Sequence, residues 1–154
     1  MKKVLFLHGL ESQPGGHKPR YLKEKGYQVS NPWLPKSSFE ESIKIAQNKV
    51  DTESPDVIVG SSRGGAVAMC LEPRYAKLVL IAPAWKRFDL SMNESIKSDC
   101  IVIHSVKDDV VDFEDSVQLT ESNEISLVAV GESHRMNDGD ALEGLLDAIE
   151  WITQ

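Results

Sequence analysis

The stretch DVIVGSSRGGAVAM, residues 56–69, sets a serine between glycines at Gly60-x-Ser62-x-Gly64. A serine hydroxyl is a poor nucleophile at neutral pH. It needs a base within hydrogen-bond reach and a third group to orient that base. Both residue types occur downstream: Asp108 in HSVKDD (104–109) and His134 in GESHR (131–135). The chemistry they would support is acyl transfer, with Ser62 attacking a carbonyl, His134 moving the proton and Asp108 steadying the imidazole.

Other residues compete for these roles. Of the four histidines, His8 and His104 close apolar runs and are expected to make structural hydrogen bonds. His17 sits in a glycine-rich turn, exposed or capping a helix. Asp108 is the first carboxylate after the run IVI (101–103), on a turn from which a side chain reaches across a sheet's end; Asp109 is the alternative. Asp112 and Asp115 read as a helix cap and a solvated face. A Gly/Ser-rich turn without chemistry is the plainer reading of GSSRGG. A phosphate loop is not supported, because neither G-x-x-x-x-G-K-S/T nor G-x-G-x-x-G is present.

Side chains so far apart in sequence need a framework to bring them together. Short apolar runs recur at VLFL (4–7), VIV (57–59), LVLIA (78–82), IVI (101–103) and ISLVAV (125–130), with a weaker YQV (27–29). Rich in Val, Ile and Leu and lacking strict alternation, they predict strands buried on both faces. Helical patterns lie between them. Ser38 and Glu41 form a capping box ahead of the stripe Phe39, Ile43, Ala46 and Val50. Leu142, Leu145, Leu146, Ile149 and Ile152 form a second stripe, and helices are also expected around 63–71 and 113–120. Alternation of this kind predicts an α/β fold of three layers: an open, mostly parallel sheet with helices on both faces, in one domain over 1–154.

Ligands of such sheets bind beyond the carboxyl ends of the strands. The serine, acid and histidine all follow apolar runs. GSSRG lies between a strand and a helix, where a nucleophile elbow belongs, and glycines at 60 and 64 keep the sharp turn free of Cβ atoms. The backbone N–H of Arg63 would then be one donor to a developing oxyanion, with the N–H of Leu10 as the second. Trp33, Leu34, Trp85 and Phe88 lie on loops at the same edge, where they would line an acyl pocket or simply anchor the loops.

The formal net charge of -7 and pI near 5.1 exclude nucleic acid as an expected partner and disfavour an anionic membrane surface. The apolar run after Lys2 and Lys3 is only Val4 to Leu7, too short for a signal segment or a membrane span, so a cytoplasmic protein is expected. Cys70 and Cys100 read as free thiols. The histidines lack paired ligand spacing, so neither metal nor cofactor is implied.

The whole pattern resembles the α/β-hydrolase superfamily. It has a strand ending in HG, the elbow GSSRGG, a later strand running into HSVKDDVV, and SHR before the last helix, in the order serine, acid, histidine. Many members carry H-G-x-x-D-x-x-V-P at the third of these, which aligns the acid with Asp108, although Ser105 and Asp112 stand in place of the glycine and proline. The loop LESQPGGHK makes it similar to short, lidless bacterial serine esterases, and the segment after LVLIAPA is too short for a cap domain. Arg63 departs from the usual apolar or amide residue and would pair with Glu11 or contact an acidic substrate.

The resemblance implies a serine esterase or thioesterase acting on small molecules, as a monomer or homodimer. The competing expectation is a non-catalytic interaction module on the same fold.

Overall fold

The computed structural model describes residues 1–10, 12–92 and 96–154. Strands β1 (Lys3–Leu7), β2 (Gln28–Ser30), β3 (Val57–Ser61), β4 (Lys77–Ile81), β5 (Cys100–His104) and β6 (Ser126–Ala129) form one sheet. Their order is β2-β1-β3-β4-β5-β6, and every neighbouring pair is parallel. Successive strand residues point to opposite faces, so the apolar runs feed two cores. Leu5, Ile58, Leu80 and Val102 pack with α2 (Phe39–Glu53), α3 (Arg63–Met69) and α4 (Phe113–Asn123). Val4, Val59, Ile81 and Ile103 pack with α1 (His17–Glu24) and α5 (Gly139–Ile152). Each fully buried Leu, Ile or Val contributes about 1.5–3 kcal/mol, which makes this two-sided burial the main support of the sheet.

Burial on both faces holds for β1, β3, β4 and β5 but not for β6. That strand lies at the edge, only Leu127 is packed against a core, and Val128 is exposed. With β2 only three residues long at the other edge, both unpaired margins are short. Helix α1 is not evident from periodicity, because Pro19 and Leu22 are its only buried residues. Pro19 sits in the first turn, where the missing N–H removes no intrahelical bond. Half of the expected capping box begins α2: the Glu41 N–H donates to Ser38 Oγ at 3.0 Å, while the Ser38 N–H donates to the Pro35 carbonyl at 3.4 Å and not to the Glu41 side chain.

Register levels the strand ends around Ser62. Leu7 pairs with Gly60, and Ser61 with Ile81, so the loops after β1, β3 and β4 emerge side by side. At the β3–α3 turn Ser62 has φ 55 and ψ -113, a region costly to any residue with a Cβ, by about 1–3 kcal/mol. Its peptide is held from both sides. The Ser62 N–H donates to the Ile81 carbonyl (2.8 Å), and its own carbonyl accepts from Gly65 (3.0 Å), Ala66 (3.2 Å) and Ala84 (3.0 Å).

The glycines let the helix come this close. A Cβ on Gly64 would lie 2.0 Å from the Leu7 carbonyl oxygen, one on Gly60 2.5 Å from the Gly64 oxygen, and one on Gly65 2.9 Å from Pro83 Cβ. Gly64→Ala should therefore destabilise the protein by about 1–3 kcal/mol or more, as overpacking does. Gly139→Ala, whose added methyl meets nothing within 4 Å, should be neutral or slightly stabilising. Urea denaturation of both variants checks the contrast.

Candidate active site

Ser62, at the carboxyl end of β3, is partly accessible. His134 sits in the loop between β6 and α5, and Asp108 in the turn between β5 and α4. The structure brings the three together. Ser62 Oγ is 3.1 Å from His134 Nε2, and His134 Nδ1 is 2.6 Å from Asp108 Oδ2. A carboxylate only accepts, so Nδ1 carries the imidazole proton and Nε2 is free to accept the Ser62 hydroxyl proton. The His134 side chain is 19% exposed and the Asp108 side chain 0%. The imidazole is thus open to water and the carboxylate is closed to it.

Burial by itself would push the Asp108 carboxyl up. Hydrogen bonds donated by His104, His134, and the Val111 and Val110 N–H groups overcome this and hold it well below the usual carboxylate range. The two backbone N–H groups each reach Oδ1 at 2.8 Å. Asp109, the alternative acid, is exposed. Asp112 caps α4 by accepting from the Glu114 N–H at 3.0 Å. Asp115 is not on a solvated face as expected: its carboxylate pairs with Lys86 at 2.9 Å and is 19% exposed.

Both departures from the common acid-loop pattern have local reasons. Ser105 Oγ donates to the Gly131 carbonyl (2.8 Å) and accepts from the Lys107 N–H (3.0 Å), tying the acid turn to the histidine loop. The side chain of Asp112 supplies a cap that proline cannot. Lys18 of α1 braces the same loop, donating to the Arg135 carbonyl (2.6 Å) and Asn137 Oδ1 (3.1 Å), and burial pushes its ammonium down to about 8.

On the other side of Ser62, a Cβ built on Gly9 would stand 3.5 Å from Ser62 Cβ, so the Gly9–Leu10 segment runs beside the serine. His8 shapes that segment. Its Nε2 accepts from the Leu34 N–H (2.9 Å), so Nδ1 carries the proton and donates to the Gly9 carbonyl (2.8 Å). Burial lowers the His8 pKa, the Gly9 bond opposes this, and the charges of Arg63 and Lys36 lower it further. As the first residue of α3, Arg63 has a backbone N–H with no intrahelical acceptor. Its guanidinium is buried. It donates to the Pro35 carbonyl (2.9 Å) and lies 5.7 and 5.9 Å from the centres of the stacked Phe39 and Phe88 rings. Glu11, its expected partner, lies outside the described residues.

Leu34 and Trp85 do not line an open pocket. They are 1% and 5% exposed and belong to the core, and Trp85 Nε1 donates to the Asp115 carbonyl at 3.1 Å. Apolar side chains on these loops gain more by closing the core than by facing water. Of the other two candidates, Trp33 is 62% exposed, and Phe88 is partly exposed and stacks on Phe39. His17 opens α1 and is exposed. His104 is a contact that the sequence reading missed: its Nε2 is 3.1 Å from Asp108 Oδ2. No local pattern signals it, because residues four apart meet on a helix and these two lie at a strand end and in the turn beyond it.

Residues 3–98 match the model of an uncharacterised protein family, UPF0227. The chain belongs to this family. Curated proteins give no match. Among solved structures, the chain is similar to a Xanthomonas campestris pv. campestris protein assigned to the hydrolases of the α/β superfamily. The identity is 18% and the TM-score 0.74, covering 99% of this chain and 98% of that one. It is similar to mouse alpha/beta hydrolase domain-containing protein 10, at 16% identity and TM-score 0.77, covering 97% and 88%. It is also similar to Est1E from Butyrivibrio proteoclasticus, at 14% identity and TM-score 0.79, covering 98% and 86%. At such identities the likeness speaks to fold. The fold is that of the α/β hydrolases, with no cap domain and no helix long and apolar enough to cross a membrane among the described residues.

The depressed Asp108 pKa stabilises the fold above the ordinary carboxylate range near pH 4, and that stability is lost as pH falls below it. The stability difference between wild type and Asp108→Asn should accordingly shrink between about pH 6 and pH 3. Urea midpoints measured across that range test it; a constant difference would contradict the assignment.

Proposed function

We propose that the protein is a serine hydrolase that cleaves small carboxylic esters or thioesters through an acyl-enzyme on Ser62. The observation that carries this reading is the continuous chain from Ser62 Oγ through both nitrogens of His134 to a buried carboxylate, with spans of 3.1 and 2.6 Å. A Gly/Ser-rich turn without chemistry has no need of that alignment, nor of a strained backbone at the serine.

In the forward step Ser62 Oγ bonds to the carbonyl carbon as its proton passes to His134 Nε2. The carbonyl oxygen becomes an oxyanion, stabilised by the backbone N–H groups of Arg63 and Leu10. Collapse breaks the bond to the leaving alkoxide or thiolate, which takes the proton from His134. Water then gives a proton to His134 and attacks the acyl carbon. The second collapse releases the carboxylic acid and returns the proton to Ser62. Asp108 stays ionised throughout, orienting His134 and balancing its transient charge.

The open edge around Ser62 and the lack of a cap suit small substrates that bind without closure of a lid. Trp33, whose side chain is exposed, is the candidate to meet an acyl or leaving group. Fold likeness alone carries no activity, so the reading rests on the site.

A fluorophosphonate probe should label wild type and leave Ser62→Ala unlabelled. Labelling of neither form, or equally of both, would remove the enzymatic reading and favour a binding role. Turnover of a short p-nitrophenyl ester should fall about a thousandfold or more in Asp108→Asn and change little in Asp109→Asn. Its kcat/KM should climb with pH as the base is freed and then level, between about pH 5 and 9; a flat profile would contradict a histidine base.

A further inference from the structure

We infer that His104 is a second histidine of this site, a positioning residue that holds the Asp108 carboxylate for His134. This rests on the reading of Asp108 as the acid of a serine hydrolase. Both imidazoles converge on one oxygen: His104 Nε2 and His134 Nδ1 lie 3.1 and 2.6 Å from Asp108 Oδ2. The His104 and Asp108 side chains are both 0% exposed.

The protonation of His104 follows from its partners. Nε2 faces two acceptors, Asp108 Oδ2 and the Val111 carbonyl at 3.0 Å, so it must carry a proton. Nδ1 is 2.7 Å from Ser116 Oγ, and in the neutral ring it accepts the hydroxyl proton of Ser116. Phe113 packs edge-on against the ring, with centroids 5.5 Å apart. The ring is therefore fixed by polar partners at both nitrogens and by an aromatic at its side. A side chain needed only to fill the core would not require a buried polar ring satisfied at both nitrogens; an aliphatic residue would do so without polar groups to satisfy.

The contact has a direction. Every donor on Asp108 draws charge from the carboxylate and fixes its plane. His104 and His134 meet Oδ2, and the Val110 and Val111 N–H groups meet Oδ1. Among the described residues no other charged or titratable group bears on Asp108; α4 offers only Ser116 and Phe113, and those act on His104. Removing the His104 donor should leave more negative charge facing His134. The imidazolium of His134 would then be better stabilised, and more alkaline conditions would be needed to free the base. The carboxylate would also lose one constraint on its orientation, and misplacement of a catalytic group is costly in rate.

The experiment compares wild type, His104→Gln, which keeps a donor near the Nε2 position, and His104→Leu, which keeps bulk without one. The rising limb of kcat/KM and the ring resonance of His134 by NMR should both shift to higher pH in His104→Leu, with kcat/KM down about tenfold or more. His104→Gln should keep the wild-type midpoint. A folded His104→Leu with wild-type midpoint and rate overturns the inference.

If His104→Leu does not fold, nitrogen-15 imidazole spectra of the wild type decide at about pH 8. The Nε2–H tautomer with bare Nδ1 is required there, and an Nδ1–H tautomer overturns the assignment. Neither NMR measurement needs turnover. Failure of wild type to react with the fluorophosphonate would therefore count against the hydrolase reading and leave the His104–Asp108 coupling to be judged by NMR.

Discussion

A carboxylate taken out of water costs several kcal/mol unless donors replace the solvent, and Asp108 is taken out of water completely. Four donors replace it: one from the end of β5, two from the turn that follows, and one from the loop before α5. The requirement reaches well beyond the acid. It fixes the turn 105–111 and the loop 131–136 relative to each other, and the Ser105 hydroxyl bonded to the Gly131 carbonyl adds a second tie between them. Hydrophobic burial decides that there is a sheet, but satisfaction of one buried charge decides how two loops at its end are arranged.

Ser62 is placed by a different device. Ser62 occupies an unfavourable backbone conformation, kept because its N–H and carbonyl are fully used and because no side chain crowds the approach of α3 to β1 and β3. The energy behind the strain comes from the packed core, where the strands flanking the elbow are buried on both faces. Serine and histidine thus reach each other from opposite constraints. One is pushed into position by backbone geometry, and the other is drawn into position by a carboxylate.

The side of Ser62 away from His134 is assembled from tethers. His8 bridges the loops after β1 and β2 as a neutral ring, Arg63 reaches the Pro35 carbonyl, and Phe39 stacks on Phe88. Leu34 and Trp85 disappear into the core beneath, while Trp33 stays in solvent. At this edge Ser62 is partly accessible.

Much of this was written locally. The strands at 4–7, 57–59, 78–82 and 101–103 were legible because burial on both faces leaves continuous Val, Ile and Leu. The cap at Ser38, the stripe of α5 and the elbow glycines were legible because each depends on neighbours within a few residues. Helix α1 was not, having only Pro19 and Leu22 as buried residues, and the run that forms β6 reads as buried because an edge is a property of the sheet's order and not of a run of residues. Likewise, residue order marked Ser62, Asp108 and His134 as candidates but could not show which loop side chains face water. The sequence by itself determined most of the elements and the kinds of group available at their ends, since propensity and periodicity act over short range. Only the tertiary structure decided that His104 shares an oxygen with His134 and that Leu34 and Trp85 close the core, because contacts between distant segments depend on strand order, register and the balance of buried charge.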